Sequence, residues 1–249
     1  MNIYSSLQIG DYHTNHCEDH LLIKKINSNK LVCAVMDGCS TAMDSHFAST
    51  LVAKFLRKII TEIGYKELYE TNNPINLDEQ LKEILRSLFR EITFLKNHLM
   101  LDEKELLTTL IILLYDVPEN KGIILSVGDG VVCINGIITE FDRDNKPDYL
   151  AYHLNENFDN WYESQNQKIF FDDMNDISIA TDGILTFSKI KKVDSEDNIN
   201  SIEYLMMDQT GSNTDEMLNQ KIKKLEHQYG LKPTDDLSII RLIKDRFSN

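Results

Sequence analysis

Three times in this chain an apolar, strand-like run stops at Asp-Gly: LVCAVMDG at Asp37-Gly38, IILSVGDG at Asp129-Gly130 and ISIATDG at Asp182-Gly183. A fourth apolar run, Leu237 to Ile243, is preceded instead by the acidic pair Asp235-Asp236. The Val, Ile and Leu content of these runs predicts strands of a sheet. Glycine after the acid lets the backbone turn sharply and leaves room beside the carboxylate. Four acidic points at strand ends can converge on one sheet edge. Carboxylates gathered in that way repel each other unless hard cations sit among them. The pattern points to a divalent-metal site.

The bulk properties agree with that reading. A length of 249 residues suits one large domain over residues 1–249. The net charge of -14 argues against nucleic acid as partner, because little here could replace phosphate counterions. It also disfavours adhesion to anionic membranes. The longest apolar stretch, around Leu110 to Leu114, is too short to span a bilayer. The opening MNIYSSLQIG lacks the basic start and apolar core of a secretion signal. Cys17, Cys33, Cys39 and Cys133 form no CxxC pair and are expected as free thiols. The expected compartment is the cytoplasm.

Along the chain, a strand from Ile3 to Ile9 leads into the His-rich turn DYHTNHCEDH. Leu21 to Ile26 and Leu31 to Met36 form an expected hairpin. Phe47, Leu51, Phe55 and Ile59 recur at helical spacing from Ser45 onward. A second helix is expected over Leu77 to His98, with Asn73-Pro74 breaking the two apart. Strands return over Leu107 to Tyr115, Gly122 to Val127 and Val131 to Ile138, the last turning at Asn135-Gly136. Residues Asp142 to Asp176 are polar and weakly periodic, an expected loop-rich insertion with an edge strand at Lys168 to Phe171. Asp142, Asp144 and Asp148 lack an EF-hand pattern and are expected as solvated surface. Ser188 to Ile199 is polar, and Thr214 to Tyr229 is an expected helix with Thr214 as N-cap and Gly230 as its stop. Strands alternate with helix pairs, which favours two antiparallel sheets covered by helices over a doubly wound parallel sheet.

The order of these motifs resembles the metal-dependent serine/threonine protein phosphatases of type 2C. The likeness runs through Glu18-Asp19 before a strand, VMDGCSTAMDSHFAS, Thr108-Thr109, Val127-Gly128-Asp129-Gly130, Ala180-Thr181-Asp182-Gly183 and Asp235-Asp236-Leu237-Ser238. One Asp-Gly is weak evidence, because turns use that dipeptide everywhere; the ordered set is strong. The resemblance implies an α+β fold, a four-layer αββα sandwich with two central antiparallel sheets and a two-metal centre at one end. It implies Asp37 as the carboxylate bridging two Mg²⁺ or Mn²⁺ ions, with the Gly38 carbonyl, Asp19, Asp182 and Asp235 completing coordination. Glu18 is the weaker candidate, in an outer position. Asp129 matches a position near an additional metal, leaving a third ion open. Two cations about 4 Å apart would arm a bridging water for attack on phosphorus. The implied substrate is phosphoserine or phosphothreonine on a protein, with a cognate Ser/Thr kinase as an open partner.

Departures from the pattern matter as much. Many members carry an Arg shortly before the acidic pair, where it grips the substrate phosphate; this chain has Thr14 there, flanked by His13 and His16. That spacing is similar to a bacterial branch with His in the neighbourhood, so His13 could act as phosphate ligand or proton donor. A solvated polar turn accounts for His13, His16 and His20 equally well. A zinc site from His13, His16 and Cys17 matches no common finger spacing. Gly130 replaces a common Ser. No Cys-to-Arg spacing fits a cysteine-dependent phosphatase, and no G-x-x-x-x-G-K-[ST] loop is present. Two other readings stay open: a catalytically weak relative binding phosphoproteins or partners, and a hydrolase of small phosphomonoesters.

Overall fold

The structure is a computed structural model that describes residues 1–69, 76–142, 148–191 and 199–244. Its strands are β1 (Asn2–Gln8), β2 (His20–Lys25), β3 (Lys30–Met36), β4 (Leu110–Asp116), β5 (Lys121–Val127), β6 (Gly130–Ile134), β7 (Ile137–Phe141), β8 (Lys168–Asp172), β9 (Asp176–Ala180), β10 (Phe187–Lys189), β11 (Leu231–Pro233) and β12 (Leu237–Ile243). The helices are α1 (Ser45–Tyr69), α2 (Leu77–Leu99), α3 (Phe158–Ser164), α4 (Ser201–Met206) and α5 (Met217–Tyr229). Two five-stranded sheets carry the orders β1-β12-β9-β6-β7 and β2-β3-β4-β5-β8, all pairs antiparallel.

The period-2 alternation of the strands sorts the core into layers. In β3, Val32, Ala34 and Met36 pack under α1 and α2, while Leu31, Cys33 and Val35 face the other sheet. In β12, Leu237 and Ile239 pack under α4 and α5, while Ile240 and Leu242 face inward. The result is the αββα sandwich that the motif order implied. Both faces of each sheet are covered, which is why β3, β4 and β5 read as unbroken apolar runs.

Helix α2 starts where Asn76 accepts from the Glu79 N–H at 2.8 Å and ends at Met100 in the left-handed region, φ 55°. The Asn135-Gly136 turn between β6 and β7 has φ of 50° and 86°, the primed geometry that matches strand twist. Gly230 closes α5 in the left-handed region at φ 66°, as expected. Among the described residues, no helix is long and apolar enough to cross a membrane.

Three local expectations change. The most buried line of α1 is Ala48, Val52, Leu56, Ile59 and Ile60; Phe47, Leu51 and Phe55 flank it, half-buried. Both lines share helical spacing, and only packing chooses between them. Thr214 does not cap α5: its hydroxyl donates to the Gly211 carbonyl, and the helix begins later, at Met217. Asp148 is not solvated surface but buried, its Oδ1 2.7 Å from His153 Nε2. Asp144, Asn73-Pro74 and most of Ser188 to Ile199 lie outside the described residues.

Candidate metal centre

The acids arrive at one edge because five chain segments end there. Asp37 follows β3, and its backbone is pinned by β4's approach: Thr109 N–H donates to the Asp37 carbonyl at 2.9 Å, and Thr108 Oγ1 to the same oxygen at 2.7 Å. Gly38 is in bridge pairing with Thr108. A Cβ there would stand 2.1 Å from the Ser45 carbonyl and 2.7 Å from that of Glu18, so no other residue fits without displacement. That contact brings the start of α1 and the acidic pair Glu18-Asp19 against Asp37. Ser49 Oγ of α1 adds a 2.5 Å bond to the Glu18 carbonyl.

From the other sheet, Thr181 Oγ1 at the end of β9 donates to Asp19 Oδ2 at 2.6 Å. Asp182 follows it. Asp235 N–H donates to Thr186 Oγ1 at 3.2 Å, fixing the acidic pair before β12 beside the turn that Asp182 opens. Asp236 is fully buried and accepts from Gly10 N–H at 2.7 Å and Glu18 N–H at 2.5 Å. It therefore staples the N-terminal turn to the edge. Asp236 was not expected as a site residue; its place after Asp235, just before a buried strand, was the available signal.

Electrostatics show how closely the carboxyls gather. Burial pushes the Asp37 pKa well above the carboxylate range, and Asp19, Asp182 and Asp235 push it further. Asp19 is raised to about 7, mainly by burial, against hydrogen bonds from Thr181 and Asp37. Asp182 is raised to about 7 by burial and by Asp129 and Asp235. Asp129, in the turn that carries the chain from β5 in one sheet to β6 in the other, is raised by desolvation and by Asp142, Asp148 and Asp235. Four of the five sequence-predicted metal-ligand positions are side chains, and Asp19, Asp182 and Asp235 all act on the fourth, Asp37.

The donor set fits hard cations. It is all oxygen, which suits Mg²⁺ or Mn²⁺ rather than zinc. Asp19 Oδ1 and Glu18 Oε2 are buried without a hydrogen-bond partner among the described residues, the condition that a cation relieves. Among the described residues, no three His, Cys, Asp or Glu side chains already surround a common point. Asp19 and Asp37 stand close enough to shift each other's pKa, the arrangement a shared cation would stabilise.

The histidines divide. His13 Nδ1 lies 3.0 Å from Asp236 Oδ2 and Nε2 3.6 Å from Asp235 Oδ1. Burial lowers its pKa, but the bond to Asp236 and the charges of Asp236, Glu18 and Asp235 raise it overall. His16 is exposed and packs its ring 4.6 Å from that of His46 on α1, not against the acids.

A family model described as protein phosphatase 2C matches residues 10–225. No curated protein matches the sequence. Solved structures of similar fold include a bacterial serine phosphatase, 14% identical with a TM-score of 0.60, covering 98% of this chain and 98% of that one. RsbX in complex with magnesium is 15% identical with a TM-score of 0.52, covering 96% and 94%. The phosphatase domain of SpoIIE from Bacillus subtilis, with a fragment of its regulatory domain, is 14% identical with a TM-score of 0.52; the match covers 98% of this chain but 63% of that one. The edge built by Asp19, Asp37 and Asp182 and the matched family model agree: this chain belongs to the protein phosphatase 2C family.

Proposed function

We propose that residues 1–249 form a single phosphatase domain that hydrolyses phosphoserine or phosphothreonine on proteins with two Mg²⁺ or Mn²⁺ ions. The observation that supports this most is the convergence of Asp19, Asp37 and Asp182, raised in pKa by burial and by neighbouring carboxylates, on one sandwich edge. RsbX, of similar fold, was crystallised with magnesium.

When bound, such cations lower the pKa of water and neutralise charge growing on phosphoryl oxygens. The remaining work belongs to the chain. Asp37, Asp19, Asp182 and Asp235, with the Gly38 carbonyl, would hold the ions; Glu18 would act from an outer position and Asp129 beside a third ion. Asp236 positions the Glu18-Asp19 segment through the Glu18 N–H. His13, whose pKa burial lowers but Asp236, Glu18 and Asp235 raise overall, would take the part of the family's usual Arg. It would donate hydrogen bonds to substrate phosphate or a proton to the leaving oxygen. The proposed setting is the cytoplasm, opposite a Ser/Thr kinase.

Phosphate release from a phosphothreonine peptide with Mn²⁺ tests this. It should vanish with EDTA and fall by about 10³ in Asp37→Asn, as expected when a central charge-stabilising group is lost. Mn²⁺ binding without turnover of the peptide would overturn catalysis in favour of a binding role. Turnover of small phosphomonoesters alone would overturn the protein substrate.

A further inference from the structure

The segment between β7 and β8 builds a second feature away from the acid edge. A cleft of about 640 Å³ lies there, walled by Glu140, Asp142, His153, Glu156, Trp161 and Gln167 among others. Among the described residues its lining contains three carboxylates, one of them paired with His153, and no Lys or Arg. A small molecule carrying phosphate would be repelled, and a cation attracted.

Charge is not the only sign of a ligand. Trp161 is 2% exposed and Gln167 9%, yet Trp161 Nε1 and Gln167 Oε1 have no hydrogen-bond partner among the described residues. Gln165 Oε1, also in the lining, is a third such atom. Buried polar groups are almost always paired, so these three mark a place built for an occupant. The orphans are of both polarities: one donor and two acceptors. Their partner must therefore both donate and accept.

The cleft is linked to the candidate centre through one chain segment. His153 in its wall is held at 2.7 Å by Asp148 Oδ1. The Asp148 carbonyl lies against Gly128, where a Cβ would stand 2.7 Å from it, next to Asp129. Leu150 N–H donates to the Thr108 carbonyl, tying the same segment to the strand approach that pins Asp37.

We propose that this cleft holds an Arg or Lys side chain of the phosphoprotein substrate, near the phosphorylated residue, and so sets sequence preference. The proposal rests on the phosphatase reading for its substrate. The cationic head donates N–H bonds to Gln167 Oε1 and the Glu140 carboxylate, and the adjoining peptide carbonyl accepts from Trp161 Nε1–H.

Trp161 is the single tryptophan of the chain, so its fluorescence reports occupancy without any turnover. Titration with acetyl-arginine methylamide should shift its emission saturably. The response to acetyl-norleucine and acetyl-glutamate methylamides should be at least about tenfold weaker, as loss of a charge partner predicts. Glu140→Gln and Gln167→Leu should each weaken the arginine response. Unchanged emission, or an equal response to norleucine, overturns the proposal. In turnover, a phosphothreonine peptide flanked by Arg should exceed its Ala counterpart in kcat/KM by about tenfold. Glu140→Gln should erase that ratio while leaving p-nitrophenyl phosphate hydrolysis unchanged; a ratio that survives in the variant overturns it. Arginine binding without hydrolysis of any substrate supports the cleft and fails the phosphatase reading, so the two are separable.

Discussion

Thr181 Oγ1 donates a 2.6 Å hydrogen bond to Asp19 Oδ2, joining residues 162 positions apart in sequence. The same oxygen accepts from Ser238 N–H at 2.9 Å, so one hydroxyl links the end of β9, the turn before β2 and the start of β12. All three residues are buried. Thr181→Val keeps the shape and leaves both partners unpaired, which costs about 1–3 kcal/mol. The urea midpoint should fall accordingly with its slope unchanged, and Thr181→Ser should restore most of the loss. A Val variant as stable as the parent would show the bond to be dispensable.

Gathered acids make the metal-free protein pH-sensitive. Asp19 and Asp182, raised to about 7, bind protons in the folded state that the unfolded chain releases near pH 4. The folded state holds more protons in that window, so stability is greatest below it and falls as pH rises from about 4 through 7. Thermal unfolding in EDTA should therefore show a higher Tm at pH 6 than at pH 8. Added Mn²⁺ should raise Tm more at pH 8, where the carboxylates are ready to bind it. Asp37→Asn should raise Tm in EDTA by relieving repulsion and shrink the Mn²⁺ response. A Tm indifferent to Mn²⁺ at both pH values would sink the metal centre.

Arg241 is wholly buried on the helix-facing side of β12. It makes a two-pronged pair with Asp176, at 2.9 and 2.7 Å, and donates to the carbonyls of Leu205, Met207 and Asp208. The Leu205 and Met207 carbonyls lie at the end of α4, where helical partners run out, while the Asp208 carbonyl also accepts from Lys221 Nζ. Asp176→Ala strands a buried guanidinium, and such breaks cost about 3–5 kcal/mol. Chemical denaturation should register that loss. A change under about 1 kcal/mol, the size of an exposed pair, would mean the guanidinium reaches water.

His153 sits between Asp148 Oδ1 at 2.7 Å and Glu156 Oε1 at 2.8 Å. Burial lowers its pKa, but the two acids outweigh it and the net shift is upward. Its stabilising contribution is then complete below about pH 6.5 and is lost as pH rises through the higher folded-state value. The stability gap between the parent and His153→Gln should be wider at pH 6 than at pH 8. Equal gaps would show that the imidazole stays neutral.

Some of this protein was decided by local chemistry and so could be seen in one dimension. Apolar runs buried on both faces, the turn at Asn135-Gly136 and the Gly230 stop each follow from what a few neighbouring residues allow. The acids at Asp37, Asp129 and Asp182 were visible because glycine follows each one. Other features depend on partners distant in sequence. Which line of α1 is buried, Asp236 rather than Asp235 as the buried member of its pair, Asp148 drawn inward by His153, and the orphaned atoms around Trp161 have no local signature. A side chain's burial and charge state depend on what packs against it, and only the closed sandwich brings residues 19, 37, 181 and 236 within reach of one another.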